Sequence, residues 1–173
     1  LTPRLSDLNP GDPLWVSARA GGIFTLDTVE PAETLWLIAT GTALGVYLSI
    51  LRTPDPWERF GRVILVHGTR TVAELAYGET IAAVAERHGE QFTYVPAVSR
   101  EDHPVALKGR ITDLITTGVL EGKVGAPIAH DRSHVMLCGN SAMIKDAKAI
   151  LEGRGLVRHR RNAPGQYTTE QYH

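Results

Sequence analysis

Apolar and polar residues follow two different periods along this chain. From Pro31 onward, short apolar runs typical of buried strands are separated by stretches in which apolar residues recur every three or four positions, as in helices. The strand-like runs cover 34–39, 62–68, 91–98 and 134–139, and the helix-like stretches cover roughly 43–52, 71–88, 109–121 and 141–152. This alternation predicts an α/β fold with a doubly wound parallel sheet. A last strand is predicted in "GQYTTEQYH", after the Pro164-Gly165 turn.

The first 30 residues follow a shorter, turn-rich pattern. The turn "NPGDP" at 9–13 precedes a short apolar run, "LWVSA", and the glycine pair at 21–22 precedes another, "IFTLD". Such spacing predicts short antiparallel strands. We therefore place a domain boundary at Pro31, with 1–30 as one unit and 31–173 as the α/β domain.

Composition narrows the functional classes. The chain has 173 residues and a net charge of −1, so charged partners have to be sought in local patches. Its single cysteine excludes an internal disulfide framework and suits a reducing compartment. Because no signal peptide and no apolar stretch of membrane-spanning length occurs, we expect a cytoplasmic protein without a membrane partner. We also expect a monomer that does not bind nucleic acid. The sequence begins at Leu1, and we interpret it as a piece of a longer protein.

A bare turn, "ATGTALG" at 39–45, follows the first strand of the α/β part. Open parallel sheets bind ligands at the carboxyl ends of their strands, and glycines with free N–H groups before a helix suit a phosphate. The turn has neither the lysine motif of a phosphate loop nor the central serine of a hydrolase elbow. On these residues alone, a tight connection and a nucleotide loop are equally good interpretations.

Polar residues at the next strand ends favour the nucleotide. Arg70 follows the second strand, Ser99 and Arg100 follow the third, and Arg110 comes shortly after. An NAD site usually has an acid near the end of the second strand, whereas this set could hold a dianionic 2′-phosphate through charge-assisted hydrogen bonds. The alternative is that each arginine is a solvated surface residue. Taken together, the four residues favour NADP over NAD.

The fourth strand ends in "HVMLCGNSAM". Cys138 would lie at its carboxyl edge, on the ligand side of the sheet, with Asn140 and Ser141 as candidate helix N-caps. The alternative for Cys138 is a buried apolar residue. His130 and His134 are four residues apart, but their surroundings indicate a loop, and no paired-cysteine or His-Glu-x-x-His motif occurs, so we expect no metal site.

Together, the segments "ATGTALGVYLSIL", "VHGTR", "VSRE", "LKGR", "HVMLCGNSAM" and "YTTEQYH" resemble the bacterial type of ferredoxin–NADP⁺ reductase, over the whole chain. The resemblance implies an antiparallel FAD-binding barrel, of which residues 1–30 would be the last strands, followed by an NADP-binding domain. It implies hydride transfer between C4 of the nicotinamide and N5 of the flavin, and single-electron exchange with ferredoxin or flavodoxin. The family's flavin-binding pattern, Arg-x-Tyr-Ser, does not occur in this sequence.

The resemblance also implies roles for individual residues. The NADP pyrophosphate would meet Thr40, Gly41 and Thr42, and Thr42 would also lie near the flavin. The 2′-phosphate would be surrounded by Arg70, Ser99, Arg100 and Arg110. The nicotinamide would lie near Cys138 and Gly139, with Met143 in the same loop–helix unit and Asn140 as a further cofactor-binding residue.

Three further residues would contact the flavin nucleotide in this family. Thr2 would face the FAD diphosphate, Tyr172 would stack on the isoalloxazine, and His173 would occupy the position near the adenine where relatives carry a tryptophan or another extension. Glu170 could assist proton movement, although an exposed strand carboxylate is the simpler interpretation. Cys138, Glu170 and Tyr172 are therefore the candidate catalytic residues.

An acidic electron carrier needs a basic docking surface. The segment "RGLVRHRRN" supplies four candidates, Arg154, Arg158, Arg160 and Arg161. The alternative is that these cations follow a helix C-terminus, where positive charge is favoured anyway. Two other functions also stay open: a flavin reductase or the reductase component of an oxygenase on the same fold, and a non-catalytic NADP-binding module.

Overall fold

A six-stranded, fully parallel sheet forms the centre of the molecule. The computed structural model describes residues 2–19 and 21–172, except for the side chains of Thr2, Pro3 and Tyr172. The strands are β1 (Thr34–Thr40), β2 (Arg62–Thr69), β3 (Phe92–Val98), β4 (Leu107–Lys108), β5 (Ser133–Asn140) and β6 (Tyr167–Tyr172). The doubly wound parallel sheet expected from the sequence is confirmed.

Helices connect the strands. They are α1 (Thr2–Ser6), α2 (Leu44–Ile50), α3 (Asp55–Arg59), α4 (Gly78–His88), α5 (Ile111–Thr116), α6 (Val119–Val124) and α7 (Ser141–Gly153), with 3₁₀ turns at Gly41–Ala43, Val72–Glu74 and Gly89–Gln91. The strand order is β4-β3-β2-β1-β5-β6. The chain thus runs outward from β1 to one edge and returns on the other side of β1, so the switch point of the sheet lies between β1 and β5. Ligands of such sheets bind at the carboxyl ends of the strands beside this point.

Both faces of the sheet are covered, which explains why its central strands are apolar almost throughout. On β1, Trp36 and Ile38 face a layer that includes the buried side chains of α5, α6 and α7. The alternate residues Leu35 and Leu37 face a second layer with α2. Strand residues therefore alternate between two cores, and not between a core and solvent.

The α2 helix is tied to the sheet by a buried tyrosine. The Tyr47 hydroxyl lies 2.6 Å from the Met136 carbonyl oxygen and 3.2 Å from that of Ile38, and donates toward both. These carbonyls belong to β5 and β1, so one side chain fixes the helix over the switch point. The helix begins directly after the turn at the end of β1, and its position determines where that turn lies.

The short strands expected at 14–18 and 23–27 are absent: none of the described residues before Thr34 belongs to a strand. A strand exists only where its backbone groups pair with a neighbour, and the described part of this segment offers no paired partner. The apolar pattern had a different cause at its end, because Leu26 and Val29 are buried in the second layer, against the sheet.

Residues 24–29, which we call the linker, are fastened to the α/β domain by polar contacts as well. The Arg59 guanidinium donates to the carbonyl oxygen of Leu26 at 2.7 Å and to that of Val29. The Thr28 hydroxyl lies 3.1 Å from Nε2 of His159, whose Nδ1 accepts from the Gly165 amide. The linker is therefore part of the packed domain.

Two predicted helices are interrupted, and two short elements were missed. The predicted helix 71–88 divides at Tyr77, a left-handed residue with φ of 62°, and the predicted helix 109–121 divides at Gly118, with φ of 74°. A positive φ ends helical hydrogen bonding, and sequence periodicity does not report it. The α3 helix and the two-residue strand β4 are too short to show a period.

Candidate nucleotide-binding site

The carboxyl ends of β1, β2, β3 and β5 surround a cleft of about 650 Å³. This cleft collects ten of the residues predicted to bind the nucleotide, which are Thr40, Gly41, Thr42, Arg70, Ser99, Arg100, Arg110, Gly139, Asn140 and Met143. Gly68, Thr69, Glu74, Ile111, Thr112, Ala142 and Asp146 also line it and were not predicted. Residues scattered over 107 positions of the sequence are thus gathered at one edge of the sheet, at its switch point.

The bare turn lies open to the cleft. Gly41 has a φ of +56°, a left-handed conformation that favours glycine, yet no described atom lies within 4 Å of the point where its Cβ would be. Gly45, in α2, also has no described atom within 4 Å of its Cβ position apart from neighbouring helix backbone. The glycines therefore serve the backbone path and leave free space above it, as the approach of a ligand would require. Because α2 has only seven residues, we attribute little to its dipole.

The ends of β1 and β5 interlock. Gly139 has a φ of +150°, and a Cβ there would lie 2.0 Å from the Thr40 hydroxyl oxygen. The same hydroxyl accepts a hydrogen bond from the Asn140 amide at 3.2 Å. The Asn140 side chain then caps α7 by accepting from the Met143 amide at 2.9 Å. The N-cap expectation is thus confirmed for Asn140, and it fixes how α7 leaves the cleft.

A buried histidine, which the sequence did not single out, supports the bare turn. His67 on β2 is 1% exposed, and its Nε2 lies 3.2 Å from the Gly41 carbonyl oxygen. Because a carbonyl only accepts, Nε2 carries the proton of the neutral ring. Burial lowers the pKa of His67, and the hydrogen bond to Gly41 opposes that shift. The neutral imidazole therefore holds the turn from below. The sequence does not indicate this contact, because it depends on the strand register that places β2 beside β1.

The helix α5 approaches β2 closely because Gly68 has no side chain. A Cβ on Gly68 would lie 2.5 Å from Cδ1 of Ile111, the first residue of α5. This close approach brings the preceding residue, Arg110, to the cleft. Gly68 therefore has a packing role that composition alone did not indicate.

The predicted phosphate-binding residues come together through the ladder between β2 and β3. The amides of Ser99 and Arg100 donate to the carbonyl oxygens of Thr69 and Arg70 at 3.1 and 2.9 Å. This pairing continues beyond the strands and sets Arg70 beside Arg100, with both side chains exposed to solvent at the cleft. The cleft is thus lined by three arginines, Arg70, Arg100 and Arg110, together with the bare turn.

Similarity to known proteins agrees with this geometry. The sequence matches the oxidoreductase NAD-binding domain family over residues 37–149. It is 44% identical over 148 residues to the flavodoxin/ferredoxin–NADP reductase of Escherichia coli K12, covering 86% of this chain and 60% of that one. It is 37% identical over 179 residues to the ferredoxin–NADP reductase of Pseudomonas aeruginosa, covering 98% and 69%.

The chain belongs to the ferredoxin–NADP reductase family. It spans 60% to 69% of the length of these two relatives. The fold agrees with the sequence, since a ferredoxin–NADP⁺ reductase from Neisseria gonorrhoeae, crystallised with FAD and NADP, superimposes with a TM-score of 0.82 at 30% identity, over 88% of this chain and 61% of that one.

Cys138, a candidate catalytic residue, lies inside the second apolar layer and is fully buried. Burial, and then the negative charge of Glu170, raise the pKa of its thiol to about 12. The thiol is therefore protonated at neutral pH, and it cannot act as a thiolate. Glu170, the neighbour of Cys138 in the β5–β6 register, is half-buried on β6.

The remaining flavin-side assignments are described only in part. The side chains of Thr2 and Tyr172, and all of His173, lie outside the described residues. Within 2–19 and 21–172, no three His, Cys, Asp or Glu side chains come together as a metal site requires, and no helix is long and apolar enough to cross a membrane.

The basic segment divides into two roles. Arg154, predicted as a docking residue, is instead a structural cross-link: its guanidinium pairs with Glu121 at 2.8 Å and donates to the Ile115 carbonyl oxygen at 2.6 Å. Three exposed arginines, Arg158, Arg160 and Arg161, line a second cleft of about 690 Å³ together with residues 22–25, 27 and 28 and with 168–171 of β6. Arg154 is thus removed from the candidate docking surface, which keeps the other three.

Proposed function

We propose that this chain is the nucleotide-binding part of an FAD-dependent oxidoreductase that transfers electrons between NADP(H) and ferredoxin or flavodoxin. The observation that carries the proposal is the cleft at the switch point, where a bare glycine turn meets three arginines and a serine. Relatives of 44% and 37% identity that are ferredoxin or flavodoxin reductases support the same reaction. The single buried cysteine suits the reducing cytoplasm, where we place the protein.

The residues of the cleft fit an NADP molecule. The open space above Gly41 admits a pyrophosphate close to the backbone, with His67 holding the turn in place. Arg70, Arg100 and Arg110 fit a dianionic 2′-phosphate, because guanidinium groups donate paired hydrogen bonds to phosphate oxygens. In this arrangement the nicotinamide would extend toward Gly139, where the absence of a side chain makes room for the Thr40 hydroxyl.

The first 23 residues support the presence of an FAD-binding domain in the complete protein. Trp15 and Ile23 are 99% and 98% exposed, and Leu14 and Val16 are also largely exposed. Three of these four residues are consecutive in the sequence, and proteins seldom leave such an apolar run in water. We propose that residues 1–30 lead out of the end of an FAD-binding barrel and that 31–173 form the NADP-binding domain, on which the linker 24–29 packs. Thr2, Tyr172 and His173 would then face the flavin nucleotide.

The redox chemistry is supplied by the two cofactors, through a hydride exchanged between nicotinamide C4 and flavin N5. The chain positions the nucleotide, and Thr42 would lie where the two cofactors meet. With its thiol protonated, Cys138 contributes packing under this region and no charge. The half-buried Glu170 carboxylate, next to Cys138 in register, is the side chain that could hold a proton there.

The assignment of the 2′-phosphate site can be tested with Arg100→Ala in the full chain. The variant should weaken NADP⁺ binding about tenfold or more while changing NAD⁺ binding less than twofold, because only NADP⁺ carries the group that Arg100 would bind. Isothermal titration gives both dissociation constants. Arg87→Ala on the exposed face of α4 removes the same charge away from the cleft, and should leave both constants unchanged. Equal losses for the two nucleotides would refute the assignment.

The docking surface can be tested with the holoenzyme. Reversing Arg160 and Arg161 to glutamate should slow reduction of ferredoxin at low salt, since electrostatic steering of an acidic carrier would be lost. Transfer to a small uncharged acceptor should be unaffected. If both reactions fall together, these arginines have a structural role and the carrier docks elsewhere.

A further inference from the structure

Glu74 occupies the predicted phosphate subsite. It ends the 3₁₀ turn after β2, lines the cleft, and was not among the residues that the sequence suggested. Its carboxylate holds Arg70 in three ways: Oε2 accepts from the Arg70 amide at 3.0 Å, and Oε1 lies 3.2 Å from Nε and 3.1 Å from a terminal nitrogen of the guanidinium. The Glu74 side chain is 35% exposed, and both residues line the cleft, so solutes can reach the pair.

A carboxylate and a phosphate need the same partners. A carboxylate is planar and a phosphate is tetrahedral, but both accept hydrogen bonds from a guanidinium group and from backbone N–H groups. Arg70 cannot present its Nε edge to Glu74 and to a bound phosphate at the same time. The hydrogen bonds from Arg70, together with the nearby charge of Arg100, lower the pKa of Glu74, so the competing group is an anion at neutral pH.

The same pair combines two ways of reading the adenosine ribose. An acid near the end of the second strand accepts from the ribose 2′-hydroxyl in NAD sites, whereas an arginine there accommodates the 2′-phosphate in NADP sites. Here the acid and the arginine are both present, four residues apart, and they contact each other. With Asp146, Glu74 also brings a second carboxylate into a cleft lined by three arginines.

We propose that Glu74 is an internal competitor for the 2′-phosphate, which holds Arg70 in the nucleotide-free chain and limits how strongly the cleft prefers NADP(H) to NAD(H). The inference rests on the proposed NADP function of the cleft. A 2′-phosphate that binds the Nε edge of Arg70 has to displace the carboxylate from that edge, and part of its binding energy is lost in doing so. A free 2′-hydroxyl donates to the carboxylate instead, and the ion pair stays intact. Glu74 is thus a specificity-determining residue that keeps NADH usable.

The test is Glu74→Gln in the full chain, with two small probes that need no flavin. Adenosine 2′,5′-bisphosphate carries the 2′-phosphate, and adenosine 5′-monophosphate carries the free hydroxyl. Because exposed ion pairs are weak, we expect the dissociation constant of the bisphosphate to fall by about fivefold. That of the monophosphate should rise by about twofold, because an amide is a weaker acceptor than a carboxylate. Isothermal titration of both probes, repeated with NADP⁺ and NAD⁺, measures the change in preference.

Glu101→Gln is the matched control. Glu101 accepts from the Val72 amide at 2.7 Å in the same turn, and removing its charge changes the net charge equally, but it does not line the cleft. The control should leave the ratio of the two dissociation constants unchanged. If both substitutions changed the ratio equally, Glu74 would act only through its negative charge and not through its contact with Arg70. That result would overturn the proposal.

The remaining outcomes separate this inference from the proposed function. Weaker bisphosphate binding by Glu74→Gln would mean that the carboxylate orients Arg70 for the phosphate, and an unchanged ratio would mean that it does not compete; either result overturns the inference while NADP binding stands. If the unaltered chain does not prefer the bisphosphate to the monophosphate at all, the assignment of the 2′-phosphate site itself is wrong.

Discussion

The Thr40 hydroxyl oxygen lies 2.0 Å from the point where a Cβ on Gly139 would be. The two residues are 99 positions apart in the sequence and meet because β1 and β5 are neighbours at the switch point. The hydroxyl fills the space that a side chain would take and binds the next amide, that of Asn140. At this point of the cleft, the position of the Thr40 hydroxyl therefore requires a glycine at 139.

Gly139→Ala should destabilise the protein and distort the cleft. The methyl group would collide with the Thr40 hydroxyl, and its φ of +150° is unfavourable for any L side chain, so we expect a loss of about 3 kcal/mol in the free energy of unfolding. Urea denaturation measures it. Gly122→Ala in α6 is the control, because no described atom lies within 4 Å of its Cβ position; it should raise stability by about 0.5 kcal/mol.

His67→Leu should weaken nucleotide binding without destabilising the fold. Leucine removes the donor that holds the Gly41 carbonyl, and the exposed turn can bind water instead. We expect the dissociation constant of NADP⁺ to rise about tenfold, the value of one lost hydrogen bond. His67→Gln, whose amide nitrogen reaches the position of Nε2, should restore binding. Unchanged affinity in the leucine variant would show that the turn holds its shape unaided.

Acid should destabilise the protein through His134. Burial first, and then the neighbouring His159 and Arg59, lower the pKa of His134 from 6.5 to about 3, although a hydrogen bond with Gly165 opposes the shift. Below pH 6.5, His134 is therefore protonated in the unfolded chain but stays neutral in the folded chain. The free energy of unfolding falls as the pH is lowered. We expect a loss of about 2 kcal/mol between pH 7 and pH 5 from this residue.

The substitution His134→Phe isolates that contribution. Phenylalanine keeps a ring beside His159 and cannot titrate, so the urea midpoint of the variant should depend less on pH over the same range. His67 acts in the same direction, because burial lowers its pKa as well, and a smaller acid effect should persist. A pH profile identical to that of the unaltered chain would place the acid sensitivity elsewhere.

Arg154→Ala should affect stability and not docking. The substitution leaves the Glu121 carboxylate, which is 17% exposed, without its partner, although this carboxylate still accepts from the Ile128 amide. We expect the free energy of unfolding to fall by about 2 kcal/mol. The salt dependence of ferredoxin reduction by the holoenzyme should not change. A change in that salt dependence at unaltered stability would return Arg154 to the docking surface.

The sequence was most informative where burial dictates a period. β1, β2, β3 and β5 lie within one or two residues of the predicted runs, because strands buried on both faces need continuous apolar residues. The same rule misled at 14–18 and 23–27, where apolar residues do not form strands. Leu26 packs on the sheet as irregular chain, and Trp15 lies in water. Hydrophobicity indicates a need for burial and not the backbone that provides it.

For the cleft, residue types at strand ends were enough to find the glycine turn and the arginines. What they did not indicate was the set of contacts among those residues. Glu74 lies five positions after β2, in a 3₁₀ turn whose residue types do not indicate a binding site. Its pairing with Arg70, and the support of Gly41 by His67, depend on register and on how a turn folds back, which no local pattern encodes.

The linker has a consequence for anyone who wishes to isolate the nucleotide-binding unit. Leu26 and Val29 complete the second apolar layer, Arg59 holds their backbone carbonyls, and His159 contacts the Thr28 hydroxyl. A polypeptide cut at Pro31, where the sequence period changes, would lose this cover and expose part of the layer to water. The cut has to fall before Phe24, so that the linker stays attached to the domain whose apolar layer it covers.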